Sequence, residues 1–380
     1  MNDKVPAEVF PPGEFLKEEL EARGWTQTDL AEILGRPPRV VNEIIAGKRA
    51  VTPETAQGLA AALGTSAELW LNLENSYRLW RLQKKGTQDP AVARRAFLYT
   101  KFPIKDLLRR KWIEPSDNID VLEQRVREFY GIKTLEDTPQ LAAAARKGTA
   151  YGESSMAEQA WYGRAKQLAK GVEAVPFSDT ALRAGMERLR ALRQNAEDVR
   201  LIPSVLATMG IRLVVIEHLP KTRIDGATLW LSRSAPVIAL SLRFDRLDWF
   251  WFTLLHEIVH VQRRDAMDGP LIEADLVGEG ETTLSRPAAE VEVDRAASTF
   301  LVPSEELDHF IARTRPFYAN AKVRGFAARI TVHPGLVVGQ LHKRKELPYS
   351  HLRQLLVPIR NAVVDSALTD GWGRVPVVSW

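Results

Sequence analysis

Hydrophobic positions between residues 12 and 85 recur at the spacing of short amphipathic helices, and small or polar capping residues separate the runs. Gly24 follows the first run and predicts the end of a helix there. Thr26, with Asp29 three residues later, has the pattern of a capping box that opens a second helix. Three further runs complete the pattern, so residues 1–85 predict a five-helix, all-α helix-turn-helix domain.

The pattern changes twice along the rest of the chain. Residues 86–185 predict irregular helices rich in Ala, Arg and Lys, which we treat as a helical linker region. Residues 186–380 begin with a helix and continue with segments rich in β-branched residues, which predict strands at 211–217, 227–232 and 236–242. Asp225-Gly226 predicts a turn before the second strand, and the apolar stretch 249–264 predicts a buried helix. This order predicts an α+β domain and therefore a multidomain chain.

The composition is that of a globular protein, and it limits the kinds of chemical site that the chain can form. The chain has 380 residues, 45% hydrophobic and 26% charged, which is enough for two or three domains. It has no cysteine, which excludes disulfides, thiolate metal sites and a cysteine nucleophile. Any metal must therefore use the seven histidines and the carboxylates. No apolar run has the length of a membrane helix, and the N-terminus has no apolar signal core, so we expect a cytoplasmic protein without a membrane partner.

The third predicted helix carries the residue types that read DNA. Arginine can bond guanine bidentately and asparagine can bond adenine, and both types stand at or near its start, at Arg36, Arg39 and Asn42. Side chains suited to phosphate contacts accompany them, at Gln27, Lys48 and Arg49. Residues 1–85 hold 11 Lys and Arg against 12 Asp and Glu, so attraction to DNA must come from this local cluster. A helical bundle for protein contact is the alternative interpretation.

Two stretches of this region resemble a known family. R-V-V-N-E-I-I-A-G-K-R and W-L-N-L-E-x-x-Y-x-L-W lie within residues 12–83, which resemble the HigA-type antidote branch of the Xre-family repressors. The resemblance implies a homodimer that binds operator DNA and represses its own operon, with a toxin as a further partner.

The sequence HEIVH at 256–260 is the strongest chemical signal in the chain. Residues four apart share a helix face, so His256 and His260 converge, and neutral imidazoles are good zinc ligands. Glu257 lies one residue further round the helix, where it can act as the general base for a water without being a ligand. We therefore predict one Zn²⁺ per chain, with Mn²⁺ or Fe²⁺ as alternatives. A helix with two hydrogen-bonded histidines and no metal is the competing interpretation.

A third ligand must come from a carboxylate, because the chain has no thiol. Glu290 is preferred, since Asp294 lies one turn later on the same face and can accept a hydrogen bond from the other nitrogen of a ligating histidine. Glu292 points about 160° away on a helix, and it becomes the ligand only if the stretch is irregular.

This combination of motifs resembles a second family. HExxH on a helix, followed by E-x-E-x-D-x-x-A-x-x-x-L-V-P, resembles the ImmA/IrrE metallopeptidases over about residues 195–345, with matches at Glu290, Glu292, Asp294, Ala297 and Pro303. The departures from the family pattern remove neither a ligand nor the base, and they are Val259, Val293 and Ala296. The resemblance implies a zincin-like fold and cleavage of a repressor or antitoxin.

Two functions compete on this basis. The first is a DNA-binding transcriptional regulator with a zinc-dependent endopeptidase domain, which cleaves a repressor-type protein laid along an edge of the 211–242 sheet. The second is a HigA-like antitoxin and autorepressor whose peptidase-like domain senses or binds a partner without cleavage. The intact HEIVH motif favours the first, and the complete helix-turn-helix pattern favours the second.

Overall fold

A computed structural model gives the fold of residues 9–84, 90–137, 146–147, 155–267, 271–274, 276, 287–374 and 376. The chain divides into two compact units, Met1–Arg94 and Arg95–Trp380. The three-region division at residues 85 and 185 stays a prediction. Among the described residues, no helix combines the length and the apolar character that crossing a lipid bilayer requires.

The first unit is helical, as the sequence predicts. Its described part contains α1 (Pro12–Arg23), α2 (Gln27–Ile33), α3 (Pro38–Ile45), α4 (Pro53–Leu63) and α5 (Ala67–Lys84). Gly24 ends α1 in the left-handed conformation, with φ of 67°. The predicted capping box opens α2, since the Asp29 amide donates to the Thr26 hydroxyl and the Thr26 amide donates to the Asp29 carboxylate. These local signals are sufficient to predict the end of α1 and the start of α2.

Apolar side chains from the five helices form the core of this unit. The core includes Leu16, Leu30, Leu59 and Trp70. Helix α3 contributes Val41 and Ile44, which are one turn apart and buried. Because only this face of α3 is buried, its opposite face stays at the surface of the unit.

The second unit combines many helices with one small sheet. Helix α6 (Pro90–Lys101) contains the point of division, and the helices before the central strands are α7 (Ile104–Arg109), α8 (Ile119–Tyr130), α9 (Met156–Ala169), α10 (Asp179–Ala191) and α11 (Ile202–Thr208). The later helices are α12 (Leu247–Arg263), α13 (Ala288–Leu301), α14 (Ser304–Thr314), α15 (Asn320–Arg329), α16 (Pro334–Lys343) and α17 (Arg360–Val364). The strands are β1 (Arg146–Lys147), β2 (Arg212–Ile216), β3 (Ile224–Trp230), β4 (Pro236–Leu240), β5 (Leu271–Ala274) and β6 (Leu368–Asp370).

The sheet is mixed, with strand order β1-β5-β3-β4-β2-β6. Strand β2 runs parallel to both β4 and β6, whereas β3 runs antiparallel to both β4 and β5. Strand β1 pairs in parallel with β5. The three strands predicted from the sequence are therefore β2, β3 and β4, and they form the middle of the described sheet.

The predicted turn at Asp225-Gly226 is wrong, because both residues lie within β3. The Asp225 carboxylate is buried and accepts two hydrogen bonds from the Arg243 guanidinium, at 2.8 and 3.0 Å. A Cβ at position 226 would lie 2.6 Å from the Glu257 Oε1 atom of the neighbouring helix. Glycine is therefore needed here for a close approach between strand and helix, and a turn is not its purpose.

Helix α12 packs against β3 and β4 and supplies the centre of the second core. At the other end of the sheet, helix α9 contacts β2 and β6 through polar groups. Its Trp161 indole donates to the Ile216 carbonyl at 2.9 Å, and its Arg164 guanidinium donates to the buried Asp370 carboxylate at 2.6 Å. These contacts join part of the predicted linker region to β2 and β6 within one unit.

Candidate functional site

The two histidines of the HEIVH motif meet on one face of α12. Their Nε2 atoms lie 3.0 Å apart, and both side chains are at most 1% exposed. The helical period accounts for this, because four residues correspond to about one turn.

Each ring is oriented by a carboxylate at its other nitrogen. The Nδ1 atom of His256 lies 2.9 Å from Asp294, and the Nδ1 atom of His260 lies 2.9 Å from Asp265. An ionised carboxylate can only accept, so both Nδ1 atoms carry their proton. In the neutral rings, the two Nε2 lone pairs then point at each other. A positive charge at this point, either a proton or a metal ion, removes that repulsion.

Glu290 supplies the third group of the cluster. Its Oε2 atom lies 3.4 Å from the Nε2 atom of His256 and 3.5 Å from that of His260, and within the described residues it has no hydrogen-bond partner. Burial acts to raise the pKa of this carboxyl, and the two imidazole rings outweigh that effect and lower the pKa to about 2. Burial likewise acts to lower the pKa of His260, but Glu290 and Glu257 beside it raise the pKa overall.

Glu292, the second candidate ligand, lies outside the cluster. Its side chain is 69% exposed, and its carboxylate is 3.9 Å from the Arg263 guanidinium. The reason is that residues 288–301 form a regular helix, which places Glu290 and Asp294 on one face and Glu292 on another.

The structure therefore brings His256, His260 and Glu290 together, with one ligand atom of each within 4.8 Å of the others. Two imidazole nitrogens and one carboxylate oxygen are a donor set that suits Zn²⁺, and the unpartnered Glu290 oxygen is available for it. These residues fit a divalent metal ion. Among the other described histidines, His333 caps α16 by accepting from the Gly335 amide, and His342 contacts the His351 carbonyl.

Glu257 lies beside this cluster and faces β3. Its Oε2 atom accepts a hydrogen bond of 2.6 Å from the Thr228 hydroxyl, and both residues are fully buried. Its Oε1 atom packs against Gly226 and has no hydrogen-bond partner among the described residues. Burial raises the pKa of this carboxyl above its ordinary value. A base with one oxygen fixed and one oxygen without a hydrogen bond can exchange a proton at the second oxygen.

Sequence reasoning missed Gly226 and Thr228. Both are 29 or more residues from Glu257, and only the packing of α12 against β3 brings them to it. The glycine is itself a signal, but an Asp-Gly pair taken alone predicts a turn.

In the first unit, the six candidate DNA contacts are all at the surface, and they are Gln27, Arg36, Arg39, Asn42, Lys48 and Arg49. Arg39 and Asn42 lie on the exposed face of α3, opposite Val41 and Ile44. Glu43 accepts from Arg39 at 2.7 Å and from Arg49 at 3.1 Å, which lowers the pKa of Glu43, mainly through Arg39. This carboxylate orients one candidate base contact and one candidate phosphate contact.

Comparison with known proteins identifies relatives of this unit. Residues 16–70 match the family described as helix-turn-helix. The uncharacterised HTH-type transcriptional regulator YddM of Escherichia coli (strain K12) is 32% identical over 84 residues, which are 22% of this chain and 87% of the relative. Antitoxin HigA-1 of Vibrio cholerae is 36% identical over 87 residues, which are 23% of this chain and 82% of the relative.

Solved structures show matches of similar extent. An addiction module antidote protein of the HigA family from Coxiella burnetii shares 37% sequence identity, covering 21% of this chain and 90% of its own, with a TM-score of 0.20. The Pseudomonas aeruginosa antitoxin HigA with the higBA promoter shares 30% identity, covering 21% of this chain and 90% of its own, with a TM-score of 0.20.

Proposed function

The chain belongs to the helix-turn-helix family through its N-terminal unit, and from that premise we propose that it is a DNA-binding transcriptional regulator of the HigA antitoxin type. We further propose that its second unit is a zinc-dependent endopeptidase that cleaves a repressor-type protein. The single observation that carries the second proposal is the buried cluster of His256, His260 and Glu290 beside the buried Glu257.

Zinc would be held by the Nε2 atoms of His256 and His260 and by a carboxylate oxygen of Glu290, one ion per chain. When bound, Zn²⁺ supplies a Lewis acid that polarises a substrate carbonyl and makes a water more acidic. Asp294 and Asp265 keep both imidazoles in the tautomer that leaves Nε2 free to ligate. Lys343 lies 3.3 Å from the second oxygen of Asp294 and balances its charge.

Glu257 performs the proton transfers in this mechanism. Its carboxylate accepts a proton from the water that attacks the peptide carbonyl, and then gives the proton to the leaving amine nitrogen. Thr228 holds Oε2, so the proton resides on Oε1.

The second candidate function is an antitoxin and autorepressor whose second unit binds a partner without cleavage. The relationship of the N-terminal unit to antitoxin HigA-1 favours it. The two functions are separated by incubating the zinc-loaded protein with β-casein and with repressors encoded near its gene, followed by mass spectrometry of the fragments. Fragments that form with the parent protein, and are absent with the Glu257→Gln variant, support the peptidase. Intact substrates throughout support the second function.

Replacing Glu290 by Ala is expected to weaken zinc binding at least tenfold, because it removes one of the three ligand atoms of the cluster. Glu292→Ala is the matched control, since the same residue type is changed on the same helix at an exposed position. A chelator competition titration measures both affinities. Equal affinities, or the larger loss in Glu292→Ala, would contradict the assignment of the third ligand.

Thr228→Val is expected to lower kcat about ten- to a hundredfold while zinc content and KM stay unchanged. The substitution keeps the shape of the side chain and removes one hydrogen bond to a charged carboxylate, worth about 1.5–3 kcal/mol. Thr222→Val is the control, because that buried hydroxyl donates to the Leu219 carbonyl, away from the cluster. A Thr228→Val protein with the parent kcat would show that the bond does not position the base.

A further inference from the structure

Strand β3 is the strand that approaches the catalytic carboxylate. Gly226 packs against the Oε1 atom of Glu257, and Thr228 donates to its Oε2 atom. A peptide whose carbonyl is to be attacked beside Glu257 must therefore run close to residues 226–228. An extended peptide satisfies its backbone most simply by pairing with the edge of such a strand.

That edge of β3 is already occupied by a segment of this chain. Strand β5 pairs antiparallel with β3, and its residues Leu271, Ile272 and Glu273 stand opposite Thr228, Ala227 and Gly226. These are the β3 residues next to Glu257, so β5 takes the pairing positions that a substrate would need. The other neighbour of β3 is β4, which leaves no second edge on this strand.

The segment is fixed by a polar anchor just after β5. The backbone amide of Leu276 donates to the Asp225 carboxylate at 2.7 Å, and the Leu276 side chain is buried. Asp225 is itself held by Arg243 through two further hydrogen bonds. A charge-assisted bond of this kind is stronger than an ordinary strand contact.

The reacting groups are closed to solvent in this arrangement. His256 and Glu257 are 0% exposed, and His260 is 1% exposed. A peptide main chain cannot reach Glu257 unless a covering element moves, and β5 is the element that lies on the required strand edge.

We propose that residues 271–274 together with Leu276, which we name the edge segment, act as an internal inhibitor of the peptidase site. The substrate is then an extended, unstructured stretch of protein that replaces the edge segment strand for strand along β3. This inference rests on the proposed peptidase function. The exchange keeps the number of β3 pairing bonds nearly constant, because the substrate restores the hydrogen bonds that β5 gives up. The energetic barrier therefore comes from the pairing of β5 with β1, the polar anchor at Asp225 and the burial of Leu276.

A disulfide lock tests the proposal, and the cysteine-free chain gives it a clean background. Ala227→Cys with Ile272→Cys joins directly opposed residues of β3 and β5, whose Cα separation in such a pair suits a disulfide. In the zinc-loaded full chain, the oxidised lock should cleave β-casein at least tenfold more slowly than the same protein after reduction. The control pair, Leu229→Cys with Val237→Cys, joins β3 to β4, and its oxidation should leave the rate unchanged. An oxidised lock that cleaves at the reduced rate overturns the proposal.

A second measurement separates this inference from the proposed function. If the parent protein cleaves no substrate, the peptidase assignment fails. In that case, and also if neither form of the lock cleaves, hydrogen–deuterium exchange of the zinc-loaded Glu257→Gln protein decides the inference. With β-casein added, amides of residues 271–274 should exchange at least tenfold faster, while amides of β4 keep their rates. Unchanged exchange in the edge segment overturns the proposal, whatever the cleavage assay shows.

Discussion

The Glu257→Gln protein should keep its zinc and lose cleavage by a factor of about a hundred or more. Glutamine keeps the size of the side chain and can still bond Thr228, but it cannot accept a proton at neutral pH. General-base catalysis by a positioned carboxylate contributes about 10²–10⁴-fold, which sets the expected loss. Elemental analysis measures the zinc, and the rate of β-casein fragment formation measures the activity.

The histidine variants are the necessary contrast to Glu257→Gln. His256→Ala and His260→Ala should lose both zinc and cleavage, because each removes a ligand atom from a cluster of three. The separation of ligands from base fails if His260→Ala retains stoichiometric zinc. It also fails if Glu257→Gln loses the metal as completely as the histidine variants do.

The candidate metal cluster could be predicted closely from the sequence, because it depends on local geometry. Two histidines four apart and two acidic residues four apart each define a single helix face, and nothing distant is needed to predict which side chains converge. The predicted bond between a histidine and Asp294 has the same origin: it is found between Asp294 and His256, at 2.9 Å. The capping box at Thr26 is a further case, since all its atoms lie within four residues.

The surroundings of Glu257 could not be predicted, because they depend on which strand approaches the helix. In the sequence, Thr228 is one of many β-branched residues in predicted strands. Only the strand register places its hydroxyl at the Glu257 carboxylate. The role of Gly226 escapes prediction for a related reason. An aspartate followed by glycine is a strong turn signal by itself, and the close approach of α12 that overrides it is tertiary.

The pairing of β5 with β3 was also beyond the sequence analysis. The prediction placed a substrate along an edge of the three central strands, and the structure puts residues 271–274 on one such edge. Nothing in a four-residue strand specifies its partner, since strand pairing is determined by contacts distant in sequence.

Replacing the candidate base contacts of α3 should have the second large effect, on the binding of DNA. The full-length Arg39→Ala, Asn42→Ala double variant should bind the promoter of its own operon at least tenfold more weakly, with most of its sequence preference lost. Each residue lies on the exposed face of α3, and each good base contact is worth about 1–3 kcal/mol of discrimination. Arg39 must exchange its bond with Glu43 for a base, or keep that bond while its remaining N–H groups reach the DNA.

Lys48→Ala supplies the contrast that distinguishes base reading from general attraction. Lys48 is an exposed cation just beyond α3, so its loss should weaken binding to all sequences alike and reduce the salt slope by about one. Fluorescence anisotropy over a salt series, with the operon promoter and a scrambled duplex, measures both quantities. If the double variant binds the promoter as the parent does, α3 is not the reading helix. The surface around Arg39 and Glu43 would then be better explained as a contact for another protein, because the unit as a whole carries no excess of positive charge to hold DNA elsewhere.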